Sequence, residues 1–270
     1  TLVDDENMVH RIGDCCVFIM DDNYIPNLTK LARENVQFTD KKDGKVGGPV
    51  CLEATAYTAG GLVAQTSAIN LKVMNSGAVS DSFLPNLTAL GDILNKQGYN
   101  QMFLCGSDGD FAGRDAYFKT HKDYQIEDYK AAIKEGDIPK DYKVYWGHED
   151  KVLYERAKKN LKKLSKEGKP FNLTMLTVDT HFPNGYICDL CENKYDTTYG
   201  NAVACADRQV YDFVFFIDDE VAGLGDLLTH DGGHLGHFAA GLASLQLSGE
   251  DIADLIKLGG FAALSGNDQR

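Results

Sequence analysis

An α/β fold, with a largely parallel central sheet and helices on both faces, is what this 270-residue sequence predicts, on three observations. Short apolar runs recur at residues 15–20, 99–105 and 171–178, and continuous apolar runs of this length are what strands buried on both faces require. Segments of helical periodicity lie between them, the alternation that builds parallel sheets from strand-helix-strand units. Polar residues capable of chemistry stand just beyond each run, where open α/β sheets bind ligands.

Each element has its own signal. Residues 15–20 (CCVFIM) end abruptly at Asp21, Asp22 and Asn23, as a buried parallel strand would. Residues 26–38 place Leu28, Leu31 and Ala32 on one helical stripe behind Pro26, a residue suited to a first helical turn. Residues 41–50, rich in lysine, glycine and aspartate, read as a surface loop. Residues 53–65 carry small side chains and a Thr-Ala-Gly-Gly turn, which lets backbone approach a neighbour closely. Residues 85–98 repeat the Pro-Asn-Leu-Thr opening and a helical pattern before the strand at 99–105. The residues flanking the two Pro-Asn-Leu-Thr segments differ, so this is a reused helix start and not a repeat architecture.

The most amphipathic segment is 149–167, where Val152, Leu153, Ala157, Leu161 and Leu164 follow helical spacing until Gly168 and Pro170. The strand at 171–178 ends in Asp179, Thr180 and His181. Residues 206–217 read as a helix, although 214–217 also have the composition to begin a strand. Past Asp218 the chain turns glycine-rich, with His230, His234 and His237 close together and a helix start at Ser248 to Asp251. No proline-rich linker interrupts the chain. One domain over 1–217 is expected, with 218–270 a divergent C-terminal part of it or a variable tail.

Charge excludes one class of partner. With 27 basic against 40 acidic residues the net charge is −13, and no basic run offers a footprint for nucleic acid. A small phosphate ester is not excluded, because a metal or an arginine reverses the field inside a cleft. No stretch approaches the roughly 18 apolar residues that span a bilayer, and Thr1 does not open a signal sequence. The chain as given therefore reads as soluble, and an ectodomain cut from a membrane protein would read the same. Among seven cysteines, Cys188, Cys191 and Cys205 cluster in sequence. They can form a disulfide, for which Cys191 with Cys205 is the expected pair, or a metal site lacking a fourth ligand, or small buried hydrophobes.

In a parallel sheet the ends of the three runs converge, which gathers Asp21 with Asp22, Ser107 with Asp108, and Asp179 with His181. Carboxylates and imidazole suit a divalent cation that activates a nucleophile and takes up phosphoryl charge.

The order of motifs resembles a known family. Val17-Phe-Ile-Met-Asp-Asp22, followed by Ile25-Pro-Asn-Leu-Thr-Lys-Leu-Ala-Arg-Glu-Asn-Val-Gln-Phe-Thr39, is similar to the opening of sulfatase-like enzymes. Tyr57-Thr-Ala-Gly-Gly-Leu-Val-Ala64 resembles the nucleophile segment of phosphoglycerol transferases and lipoteichoic acid synthases. Leu84-Pro-Asn-Leu-Thr-Ala-Leu-Gly-Asp-Ile-Leu94, Gly106-Ser-Asp-Gly-Asp-Phe-Ala-Gly-Arg114, Trp146-Gly-His-Glu-Asp150 and Leu176-Thr-Val-Asp-Thr-His-Phe-Pro183 follow in that family's order. The resemblance covers about residues 15–217 and implies an alkaline phosphatase/sulfatase-like fold.

By that resemblance Thr58 matches the threonine that carries a covalent phosphoglycerol group, and Asp21 the metal ligand that ends the first strand. Arg114 matches an arginine that grips the substrate phosphate, and His181 a histidine that contacts phosphate or glycerol. Each also has a plainer reading, as a helix cap, a solvated strand end, an ion-paired arginine or a histidine held by Asp179. Cys51 and Thr55 are rivals to Thr58, but Cys51 lacks the Pro and Arg that follow the modified cysteine of true sulfatases. The family's late Gly-Asp-His corresponds to Gly225-Asp226-Leu227, which keeps Asp226 as a metal ligand and loses the histidine. An imidazole from His230, His234 or His237 can substitute, or the metal site is impaired.

The resemblance thus implies transfer of phosphoglycerol from a lipid donor to a glycan or polymer acceptor through a threonine-linked intermediate. Manganese is the implied metal, with magnesium or zinc accepting the same donors. It also implies a position outside the cytoplasm, at the cell envelope, with membrane association in a natural precursor. Hydrolysis of phosphate or sulfate esters on the same fold, or phosphate binding without catalysis, are the alternatives.

Overall fold

The computed structural model describes residues 8–12, 16–20, 23–35, 57–71, 82–181 and 183–225. Its centre is a three-stranded parallel sheet in the order β4-β3-β5, with β3 spanning Asn100–Cys105, β4 Gln125–Glu127 and β5 Phe171–Leu176. β3 pairs with β4 from Met102↔Gln125 to Leu104↔Glu127, and with β5 from Asn100↔Phe171 to Cys105↔Leu176.

The central position of β3 explains its apolar composition, since Met102 to Cys105 have no measurable exposure. Side chains alternate between the faces. Phe103 and Cys105 join Val63, Ala89, Tyr117, Phe118 and Tyr124, with the Phe103 and Phe118 rings stacked at 4.2 Å. Leu104 points the other way, onto Leu153, Tyr154, Ala157, Leu161 and Phe213. Each large apolar side chain buried in these layers contributes about 2 kcal/mol.

Seven α-helices are assigned among the described residues: α1 (Pro26–Glu34), α2 (Thr58–Ser67), α3 (Leu90–Lys96), α4 (Arg114–Thr120), α5 (Tyr129–Glu135), α6 (Asp150–Lys166) and α7 (Thr198–Gly225). α6 is the amphipathic helix expected at 149–167, and it buries the predicted Leu153, Ala157, Leu161 and Leu164. α1 is tied to α7 by one carboxylate. Buried Asp207 accepts hydrogen bonds from the Asn27 and Leu28 backbone N–H groups at 3.0 and 2.8 Å, and from Asn27 Nδ2 at 2.8 Å. A carboxylate there satisfies first-turn donors and complements the helix dipole.

Three local expectations are corrected. The run expected as a parallel strand is β2 (Cys16–Met20), which pairs antiparallel with β1 (Met8–Ile12) from Met8↔Met20 to Ile12↔Cys16. Only three residues join them, and a parallel pair needs a crossover of about a dozen. The small-residue segment read as a turn is helix α2, whose Ala59, Gly60 and Val63 are buried. Small side chains here allow close helix packing instead of a sharp reversal. Residues 214–217 continue α7 and begin no strand. Val210, Phe213, Phe216 and Ile217 recur at helical spacing in the layer shared with α6, so packing rather than β-branching decides.

Candidate functional site

The site is built where β3 and β5 end. After Cys105 the chain passes through Gly106 and Ser107, and Ser107 forms an isolated antiparallel bridge with Gly147. His148 N–H donates to Gly106 C=O at 2.8 Å. A Cβ on Gly147 would sit 2.0 Å from Gly106 O, and one on Gly106 would sit 2.4 Å from His148 O. Only glycines permit that crossing, which sets Trp146 and His148 against the end of the central strand.

Arg114 begins α4 and is buried beneath the loop that follows β3. Its Nε donates to Phe111 C=O at 2.9 Å, and its Nη2 to Ser107 Oγ at 3.1 Å and Asp108 C=O at 2.5 Å. Burial pulls its pKa below the usual arginine value, but a guanidinium keeps its charge across the physiological range. The guanidinium carbon lies 5.4 Å from the centre of the Phe111 ring. Ala112 and Gly113 just before it are both left-handed, with φ of 58° and 70°. For alanine that conformation costs on the order of 1 kcal/mol, a strain typical of functional loops.

His181 lies past β5 and is exposed. Its C=O accepts from the Tyr145 hydroxyl at 2.9 Å and from Gly185 N–H at 3.0 Å, while Thr180 C=O accepts from the Tyr199 hydroxyl at 3.2 Å. The His181 ring is 5.0 Å from Trp146, which in turn is 5.6 Å from Phe111. Tyr145 stacks on Tyr186 at 5.8 Å. Arg114 and His181, each matched by resemblance to a substrate contact, are thus linked by a continuous wall of Phe111 and Trp146 rings. Phe111, Tyr145 and Trp146 are all exposed, so the wall faces solvent. Trp146 was legible in the Trp-Gly-His-Glu-Asp motif and Phe111 in the segment from Gly106 to Arg114, whereas Tyr145 and Tyr186 carry no sequence signal of their own.

Behind the wall lies a group of buried polar side chains. Asp150, at the start of α6, accepts from the Val178 and Asp179 N–H groups at 2.7 and 3.0 Å and so anchors the chain leaving β5. Asp179 is 2% exposed, and neither of its carboxylate oxygens has a partner. Tyr154 Oη and His148 Nε2 are likewise buried without a partner. Burial first and the charge of Asp150 second push the Asp179 carboxyl up to about 8, while burial raises Asp150 to about 6. Burial also lowers the pKa of His148, favouring neutral imidazole. Asp179 therefore holds a proton near neutral pH. The plainer sequence reading, in which Asp179 bonds its neighbour His181, is not among its contacts.

Thr58 is the first residue of α2 and is exposed. α2 is pinned to α4 at its other end, where the Thr66 and Ser67 hydroxyls meet Tyr117 Oη, the former at 2.6 Å. Asp21 and Asp226 lie outside the described residues, as do Cys51, Thr55, Leu227, His230, His234 and His237. The convergence of Asp21 and Asp226 on Thr58 thus stays an expectation. The segment leading to Asp226 is the last part of α7. Cys188, Cys191 and Cys205 do come together, as free thiols. A surface depression lined by Asp110, Asp115, Lys119, Asp128 and Lys130 lies outside the aromatic wall. Its lysines already pair with Asp110 and Asp115 at 2.8 Å, and Asp128 accepts from the Gly109 and Ala131 N–H groups.

Comparison with known proteins places these features in a family. The family model described as Sulfatase matches residues 12–232. Phosphoglycerol transferase I of Xanthomonas campestris pv. campestris (strain B100) is 31% identical over 221 residues, covering 78% of this chain and 30% of the relative. Phosphoglycerol transferase I of Salmonella choleraesuis (strain SC-B67) is 32% identical over 204 residues, covering 71% of this chain and 25% of the relative. The chain therefore spans less than a third of the length of these curated relatives. The crystal structure of the lipoteichoic acid synthase LtaP from Listeria monocytogenes has the same fold, with a TM-score of 0.55 and 18% identity over 73% of this chain and 47% of that one.

Proposed function

Because the chain belongs to the sulfatase family, we propose that it is a phosphotransferase that moves phosphoglycerol from a lipid donor to a glycan or polymer acceptor. The observation that carries this reading is the joining of Arg114 to His181 by the solvent-facing Phe111 and Trp146 rings. A cation suited to phosphoryl oxygens and an imidazole suited to hydroxyls then line one surface.

In the first step Thr58 Oγ bonds to phosphorus as the bond from phosphorus to the lipid alcohol breaks, and the threonine proton ends on the departing alcohol. In the second step an acceptor hydroxyl attacks the same phosphorus, the bond to Thr58 Oγ breaks, and a proton returns to Thr58. Arg114 holds the phosphoryl group through the Nη1 edge, since its Nε and Nη2 donors are committed to the loop. His181 and the rings beside it hold glycerol and shield the group from water. Thr58 is exposed at the positive end of α2, a position that favours its alkoxide. A divalent cation held by Asp21 and Asp226, manganese first and magnesium or zinc next, would supply the charge that activates the Thr58 hydroxyl. Such a lipid donor implies action outside the cytoplasm, at the cell envelope, in association with a membrane. Among the described residues no helix is long and apolar enough to cross a membrane.

The test is to incubate the purified chain with a phosphoglycerol lipid in micelles, following both diacylglycerol release and intact protein mass. A phosphoglycerol adduct on the Thr58 peptide is expected. Thr58→Ala should lose the adduct and at least about a thousandfold in turnover, while leaving metal binding largely intact. Asp21→Asn should instead weaken the metal, and Leu227→His should tighten it if Asp226 is a ligand. Full turnover in Thr58→Ala overturns the assignment.

A further inference from the structure

Three thiols on the far side of the His181 segment are unused by the proposed reaction. Cys188 and Cys191 lie in the loop after β5, and Cys205 projects from α7. Cys188 Sγ stands 3.7 Å from Cys191 Sγ and 3.9 Å from Cys205 Sγ, and all three sulfurs lie within 4.8 Å of one another. No pair is bonded. We propose that Cys188, Cys191 and Cys205 form a binding site for one thiophilic d10 cation, zinc(II) or copper(I).

The spacing carries the argument. Metal-to-sulfur bonds of about 2.3 Å in tetrahedral directions put neighbouring sulfurs about 3.8 Å apart, which is the separation of Cys188 Sγ from both Cys191 Sγ and Cys205 Sγ. Plain apolar packing has no reason to draw three sulfurs onto one point. The local backbone is that of a chelating turn. Cys191 N–H donates to Cys188 C=O at 3.1 Å. Gln209 Nε2, one turn along α7, points at Cys205 Sγ from 3.5 Å. Donors aimed at sulfur stabilise a thiolate and orient it, as outer-shell partners of metal ligands do. Cys205 and Cys188 are buried while Cys191 is half-buried, which leaves a way in from solvent.

Without a cation this arrangement is costly to ionise. Burial and the neighbouring sulfurs push the Cys205 thiol up, and Cys188 is raised by burial as well. A bound cation replaces three thiol protons, which leave to solvent, and compensates the sulfur charge. Three sulfurs satisfy copper(I) directly, and zinc(II) would add a water or another exogenous ligand in the fourth position. The structural consequence is a clamp. It adds to the contacts that hold the loop between His181 and α7, among them the Arg208 bond to Leu190 C=O at 2.9 Å, the Asn201 side chain accepting from Lys194 and Tyr195 N–H at 2.9 and 2.8 Å, and the exposed Lys151 to Asp189 pair.

The experiment titrates the fully reduced, metal-free chain with cobalt(II) under anaerobic conditions, then adds zinc(II) or copper(I). One equivalent of cobalt with a sulfur-to-cobalt charge-transfer band is expected, and whichever cation removes the band at lower concentration is the one assigned. The catalytic site proposed above contains no cysteine, so its cobalt would show no such band, and the two readings fail separately. Cys205→Ser should weaken binding at least tenfold. Should that variant fold poorly, the wild-type chain offers a second readout, because the bound cation should protect Cys188, Cys191 and Cys205 from alkylation in peptide mapping. A disulfide joining any two of the three in protein purified without reductant, or cobalt binding with no thiolate band, overturns the proposal.

Discussion

The two outer strands of the sheet end differently. At the end of β4, Glu127 is buried, yet one oxygen accepts from Arg156 Nη2 at 2.7 Å and the other from Gln125 Nε2. Arg156 also reaches Asp137 at 2.9 Å, and the neighbouring Asp128 caps α5 through Ala131 N–H at 2.9 Å while accepting from Gly109 N–H at 3.0 Å. Every acid there is satisfied. At the end of β5, Asp179 is equally buried and its oxygens have no partner, with Tyr154 Oη also unpaired near it. Unpaired buried groups cost about 1–3 kcal/mol each, so a fold retains them where something other than stability is served. The β4 end is framework, and the β5 end, which carries His181, is where the proposed chemistry sits.

Breaking the paired end should have the largest effect. Arg156→Ala strands Glu127 as an uncompensated buried charge and should cost about 3–5 kcal/mol in stability, read as a lower midpoint in chemical denaturation. Arg156→Met with Glu127→Gln, which removes both charges, should recover much of that loss. If the single variant costs under about 1 kcal/mol, the two ends do not differ as described.

The unpaired end should respond in the opposite sense, and with pH. The folded-state pKa of Asp179, about 8, lies above the 3.8 expected when it is free. The native state therefore binds more protons than the unfolded one between those values, and its stability falls as pH rises from about 4 to about 8. Asp179→Asn removes that dependence. The variant should match the wild type near pH 4 and gain on it progressively toward pH 8, as thermal melts across the range would record. A constant difference at every pH would show that Asp179 is ionised and partnered.

The smallest effect is expected on the wall. Tyr145→Phe deletes the hydroxyl that holds His181 C=O and should cost about 1 kcal/mol of positioning, a few-fold rise in KM with little change in global stability. A large loss of stability would make Tyr145 part of the framework instead.

Periodicity and strand-end chemistry were readable without coordinates. The apolar runs at 99–105 and 171–178 are β3 and β5, and the stripe at 149–167 is α6, because burial on both faces or on one stripe imposes its own pattern on sequence. The motifs naming Arg114, Trp146 and His181 were legible too. Partner choice was not. That residues 15–20 pair antiparallel, that 58–67 is a helix and that 214–217 stays helical were settled by a short connection and by packing against distant residues. Sequence likewise grouped Cys188, Cys191 and Cys205 along the chain and expected Cys191 to bond Cys205, but could not say that all three would meet as free thiols. Nor could it say that Glu127 finds Arg156 while Asp179 finds nothing, because whether a buried charge is satisfied depends on which side chains the fold brings to it from elsewhere in the chain.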